Sequence, residues 1–142
     1  MAGNYQIDEM IDSAISYLIS KATYLCFCTS DIDSSRTYAN ATNAPNAGVP
    51  GYCLAKVAVT PGAAEDGDTD GRKTVIPAYA DNTVLGVTGT VYSGSRLVIV
   101  GQNNAGTDSV LYGLPTTARN VKGGGLVDFP TFSITVRDGA AV

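Results

Sequence analysis

The residues in this chain whose types and spacing look most like chemistry lie in AAEDGDTDGRK, residues 63 to 73. Asp66, Asp68 and Asp70 alternate there and Gly71 follows, the order in which a helix–loop–helix calcium site begins. Such a loop sets oxygen ligands at positions 1, 3 and 5 and a glycine at 6, and closes with a bidentate glutamate at 12 between two helices. Counted from Asp66, the twelfth position is Pro77, and RKTVIPAY has the texture of a strand. The closing half of the motif is missing. A solvated turn leading into a strand fits better, its aspartates serving local backbone N–H groups and Gly71 supplying a positive φ. A calcium-binding β-module using Asp66, Asp68 and Asp70 stays open as an alternative.

Cys26 and Cys28 are two apart in YLCFCTS and share a face if that stretch is a strand. With Cys53 the count is odd and no C-x-x-C pair is present. The chain has no histidine, which removes the usual fourth ligand of a structural zinc and leaves the thiols as small buried hydrophobes. Lack of histidine also removes Ser–His–Asp and Cys–His catalysis. No acid or lysine stands inside an apolar run that would desolvate it and shift its titration. KGGG, residues 122 to 125, lacks the spacing of a phosphate loop. The eight tyrosines are scattered, which suits core edges and contact surfaces better than a base-stacking platform. The expectation is no catalytic residue, no bound metal and no cofactor.

Composition points the same way. Charged residues are only 15% of the 142, against about 25% in an ordinary domain; Gly, Ala, Thr, Ser and Asn take their place. Small neutral polar groups lose little hydration when a neighbour covers them, which favours a packed assembly. A net charge of −4, with scattered basic residues, argues against nucleic acid. No apolar run approaches the ~20 residues of a membrane span. The acidic opening MAGNYQIDEMID is unlike a signal peptide, so synthesis and use in a cytosol, or exit by a non-secretory route, is expected.

These groups need elements to hold them. Ile7, Ile11, Ala14, Ile15, Leu18 and Ala22 recur at the spacing of one helix face. That predicts an amphipathic helix over about residues 6 to 21, capped by Asn4, with Asp8, Glu9 and Asp12 at its positive end and Lys21 in its last turn. Ser13, Ser16 and Ser20 mark its polar face. Residues 23 to 138 then read as β-rich, with a long loop over about 30 to 51. Six or seven strands are expected, from TYLCFCTS, YCLAKVAVT, RKTVIPAYA, TVLGVTGTVYS, SRLVIVGQ, SVLYGLP and LVDFPTFSITVRD. VLGVTGTVYS and SRLVIVGQ are apolar enough for central strands, and VTGTVYSGSRLVIV has the form of a hairpin turning at Ser93, Gly94 and Ser95. The alternation of Val127 and Phe129 is out of phase with that of Phe132, Ile134 and Val136, which places a bulge or an edge at Pro130. A helix followed by strands implies a single mainly-β domain, an antiparallel sandwich or barrel with one N-terminal helix.

The order of short segments resembles one family. After the helix come Lys21-Ala22-Thr23 and Cys28-Thr29, then Tyr38-Ala39-Asn40-Ala41-Thr42, then Gly71-Arg72-Lys73 ahead of a strand, and finally Val127 to Pro130 near the C-terminus. The series covers most of the chain and is similar to that of small virion proteins of tailed bacteriophages, of the capsid decoration or cement type. The stretch from Thr42 to Tyr52 and the loop GQNNAGTDS, residues 101 to 109, depart from the pattern. The resemblance implies a jelly-roll-like β architecture and a non-catalytic virion part on the capsid exterior. Its implied partners are the major capsid protein and other copies of itself, as a dimer or trimer. A neck or tail component is the alternative within the virion. Weak contacts repeated over a lattice sum to strong attachment, and an acidic surface stays off the packaged genome.

Overall fold

The computed structural model describes residues 8–46, 48, 50–67 and 71–136. The chain forms two compact units, each built from separate stretches of sequence. One gathers the N-terminal helix with residues 60–78 and the C-terminal strand; the other contains 22–59 and 79–129. Taken over the described residues the fold is mainly antiparallel β with one N-terminal helix, the class expected from the sequence.

In the first unit α1 runs over Asp8–Lys21, with Lys21 in its last turn where a cation is favoured. Its last residue leads directly into β1 of the other unit. The helix lies against β4 (Arg72–Ile76) and β9 (Phe132–Val136) of its own chain. Ile15 is buried, Leu18 and Ile19 are half-buried, and Ser13, Ser16 and Ser20 are exposed. Ala14, expected on the apolar face, is exposed: the buried stripe is turned toward Ile15, Leu18 and Ile19, and a methyl group at its border has little to gain from contact. Asn4, Ile7 and the side chains of Ile11 and of Asp8, Glu9 and Asp12 lie outside what is described.

A three-stranded sheet of order β3-β4-β9 completes this unit, with β3 at Glu65–Asp66. Thr74 is wholly buried in it, and its Oγ1 donates to the Gly62 carbonyl at 2.6 Å. Removing that donor strands a carbonyl in a part-buried setting, so Thr74→Val should cost about 1–3 kcal/mol despite adding a methyl group. Urea titration of the variant measures it.

The second unit holds a four-stranded sheet of order β2-β1-β6-β7 and a two-stranded one of β5 and β8. Their ranges are β1 Ala22–Cys28, β2 Cys53–Ala58, β5 Tyr79–Thr83, β6 Val91–Gln102, β7 Asp108–Lys122 and β8 Leu126–Phe129. β1 and β6 are central and buried on both faces, with Leu25, Cys26, Cys28, Ile99 and Val100 fully enclosed. At the far end of the β6–β7 hairpin, Asn103 Oδ1 accepts from Ala105 N and Thr107 N and closes the loop.

Several local expectations are corrected. Gly94 does not turn the chain: β6 runs straight through it, and Gly94 pairs with Arg119. A Cβ there would fall 2.3 Å from the Phe27 ring, so the missing side chain makes room for that ring. VLGVTGTVYS is not a central strand either. Residues 84–90 form a turn with Gly86 and Gly89 at positive φ, and Val87 is 48% exposed. The stretch 30–51, read as loop, contains a 3-10 helix over Ser30–Ser34 and the helix α2 over Tyr38–Thr42. Thr37 caps α2, its side chain accepting from Asn40 N, and Ile32 and Ala41 are buried. RKTVIPAYA is split at Pro77 into β4 and β5, and Pro130 separates β8 from β9, which pair in different sheets. A chain leaving one sheet for another needs a residue that gives no ladder hydrogen bond, and proline supplies it.

Candidate functional site

The acidic run is present only in part among the described residues. Asp66 pairs with Arg72 across the β3–β4 ladder, its side chain otherwise open to solvent, and Glu65 stands opposite Lys73. Gly71 has the positive φ the sequence asked for, and Gly67 N donates to its carbonyl at 3.0 Å. Asp66 therefore serves a neighbouring guanidinium where a local backbone N–H was expected. Asp68 and Asp70 lie outside the described residues. Among the described residues no three His, Cys, Asp or Glu side chains are gathered to hold a metal.

The three cysteines do converge. β1 and β2 pair so that Cys28 faces Cys53 and Cys26 faces Lys56. All three are free and wholly buried, under Ile32 and Ala41 from the 30–51 stretch, with Tyr24, Tyr38 and Tyr52 around them. Cys28 Sγ donates to the Ala41 carbonyl at 3.6 Å and Cys53 Sγ to that of Ala55 at 3.3 Å. Hydrogen bonding to Cys53 and then burial push the Cys26 and Cys28 thiols up. Complete burial opposes a charge on any of them, and the S–H bond to Ala55 marks Cys53 as the protonated form. With no route from solvent, the trio is core.

A groove of about 530 Å³ opens on the face of the sheet that also carries the cysteines. Its origin lies in the register. Val98 of β6 stands opposite Gly113 of β7, and Arg96 opposite Pro115, so β7 presents a vacant position and a flat ring where side chains would stand. The 30–51 stretch covers the sheet as far as Ile32 and Asp33. Beyond it, Val98, Val110 and Pro115 are left as an apolar floor and wall. A Cβ at Gly113 would meet only the Leu97 carbonyl, at the ordinary contact distance of 3.8 Å. The vacancy is real space.

The rim is cationic. Asp33 grips Arg96 through both carboxylate oxygens, with Nε at 3.2 and 3.0 Å and Nη2 at 2.8 Å, while Arg96 Nη1 donates to Ser95 O and Oγ. Arg96 is fully engaged. Arg36 also lines the groove; it is exposed and makes no hydrogen bond or ion pair among the described residues. Hydrogen bonds from Arg96, and the nearby charge of Arg36, hold the Asp33 carboxyl below its ordinary value. A folded value below the unfolded one means a contribution present above the usual carboxylate pKa of about 3.9 and lost as pH falls through the folded value. The stability gap between wild type and Asp33→Asn should therefore hold at neutral pH and shrink as the pH falls below the usual carboxylate pKa, as urea midpoints at each pH will report. Exposure keeps the gap small throughout.

Nothing in the sequence pointed to this groove, because it depends on which residue of β7 faces Val98. No family model, curated protein or solved structure matches the chain.

Proposed function

We propose that this chain is a structural protein of a tailed-phage virion that binds the outside of the icosahedral head and clamps neighbouring capsomers. The observation that carries the proposal is the ordered series from Lys21-Ala22-Thr23 to Val127–Pro130, set on a mainly-β antiparallel scaffold with an N-terminal helix. Its segments fall at structural junctions: Lys21 ends α1, Cys28 ends β1, and Tyr38–Thr42 is α2, which helps cover the sheet. A low-charge surface suits attachment by many weak contacts, since avidity over a lattice multiplies each one. The proposed partners are the shell protein and other copies of this chain. The proposed work is mechanical, with no bond made or broken.

Undecorated heads incubated with purified protein provide the test. Saturable uptake of hundreds of copies per head, with a higher temperature of head disruption, is the expected result. Uptake of a single ring's worth of copies would assign the protein to the neck or tail instead. No uptake by heads or tails would end the virion proposal.

A further inference from the structure

We propose that the groove beside Gly113 is a docking site for an extended protein segment carrying one large apolar side chain next to a carboxylate. This rests on the protein-gripping function above, though not on which particle is gripped. Three independent features specify the occupant. The floor, built from Val98, Ile32, Val110 and Pro115, has room for a leucine- or phenylalanine-sized group, and burying one fully contributes roughly 1.5–3 kcal/mol. Arg36 at the rim is exposed and makes no hydrogen bond or ion pair among the described residues: the Asp33 carboxylate whose charge it feels is held by Arg96, which leaves the Arg36 guanidinium open to a second carboxylate. A carboxylate is the group that completes it, and a guanidinium takes a carboxylate through two parallel hydrogen bonds.

The third feature separates a protein segment from a small amphiphile. β7 ends its sheet, so the outward backbone groups of residues 109–114 have no neighbouring strand. They border the groove directly, since Val110 to Pro115 form its wall. An extended segment laid along them gains main-chain hydrogen bonds while alternate side chains reach the groove, the mode known as strand addition. A fatty acid or detergent could fill the floor and meet Arg36, but it would leave those groups unused.

The experiment uses the full chain and an array of blocked octapeptides of Thr and Ser, each with a central Leu, Phe, Ser or Lys flanked by Asp or by Lys. Binding is expected for Leu and Phe flanked by Asp, at least tenfold tighter than for central Ser or for Lys flanks. Gly113→Leu fills the groove where only ordinary contacts await its Cβ, and should abolish binding without lowering Tm. Arg36→Glu should weaken the Asp-flanked peptides about tenfold and leave the fold intact. Peptides that bind Gly113→Leu as well as wild type overturn the proposal, as does a preference for Lys flanks. Two further outcomes also overturn it by naming another occupant: saturable uptake of dodecanoate with no peptide bound, or a dimer of the free protein that Gly113→Leu dissolves. Octapeptide binding without uptake by heads or tails would leave this site standing and remove the virion assignment. Uptake by heads that Gly113→Leu does not change would do the reverse.

Discussion

Gly51→Ala should destabilise the second unit by about 2–3 kcal/mol, the upper part of the range for overpacking, and make its thiols reactive. Gly51 is buried at the point where the 30–51 stretch rejoins the sheet. Tyr52 N donates to Asn40 O at 2.8 Å, Cys53 N to Asn43 O at 2.9 Å, and Thr29 N to Tyr52 O at 3.0 Å. A Cβ on Gly51 would lie 2.4 Å from Asn43 O and 2.7 Å from Ala44 O. Those atoms are backbone, which has no rotamer by which to yield, so these bonds must open together. They also hold Ile32 and Ala41 over Cys26, Cys28 and Cys53. The native protein should leave its thiols unmodified by an aromatic disulfide reagent until it is unfolded. The variant should react in native buffer, where the intact protein does not. Equal labelling of the two proteins would disprove this account of the cover.

Ile99→Ala should be as damaging or more so. Ile99 has no exposed surface, and it stands opposite Leu25, equally enclosed, and Tyr112 on the other side. Both neighbours belong to strands fixed by long ladders, so the site cannot collapse around the lost atoms, and a cost of about 2–5 kcal/mol follows. That corresponds to a fall in Tm of roughly 10–25 °C for a unit of this size. Val87→Ala provides the contrast. Val87 is apolar and β-branched too, but it is 48% exposed in a turn, and its removal should lie within about 0.5 kcal/mol of wild type. Two calorimetric scans compare them.

Much of the fold could be read from the sequence because its signals are local. The spacing of Ile15 and Leu18 identifies α1, and the phase break at Pro130 identifies the gap between β8 and β9. What escaped depends on distant partners. Gly94 looks like a turn residue until Phe27, far away in sequence, is found over it. VLGVTGTVYS has the composition of a buried strand, yet Gly86 and Gly89 at positive φ turn the chain there. The 30–51 stretch is short of aliphatic residues, but Ile32 and Ala41 are enough to seat two helical turns on the sheet. The vicinity of Cys53 to Cys26 and Cys28, and the groove at Gly113, are matters of register. Alternation says which residues share a side of a strand, never which residue lies across from them.

The outer rim of β7 has a bearing on how the molecule behaves in a crowd. Between Gly94 and Arg96 on β6 there is one residue, where β7 threads three between Pro115 and Arg119. An edge strand of fifteen residues would ordinarily invite runaway stacking into fibres. The kink, with a proline that has no hydrogen to lend, cuts the regular portion to a length that can lodge a short visitor yet cannot seed a filament. Concentrated preparations should stay clear on long standing.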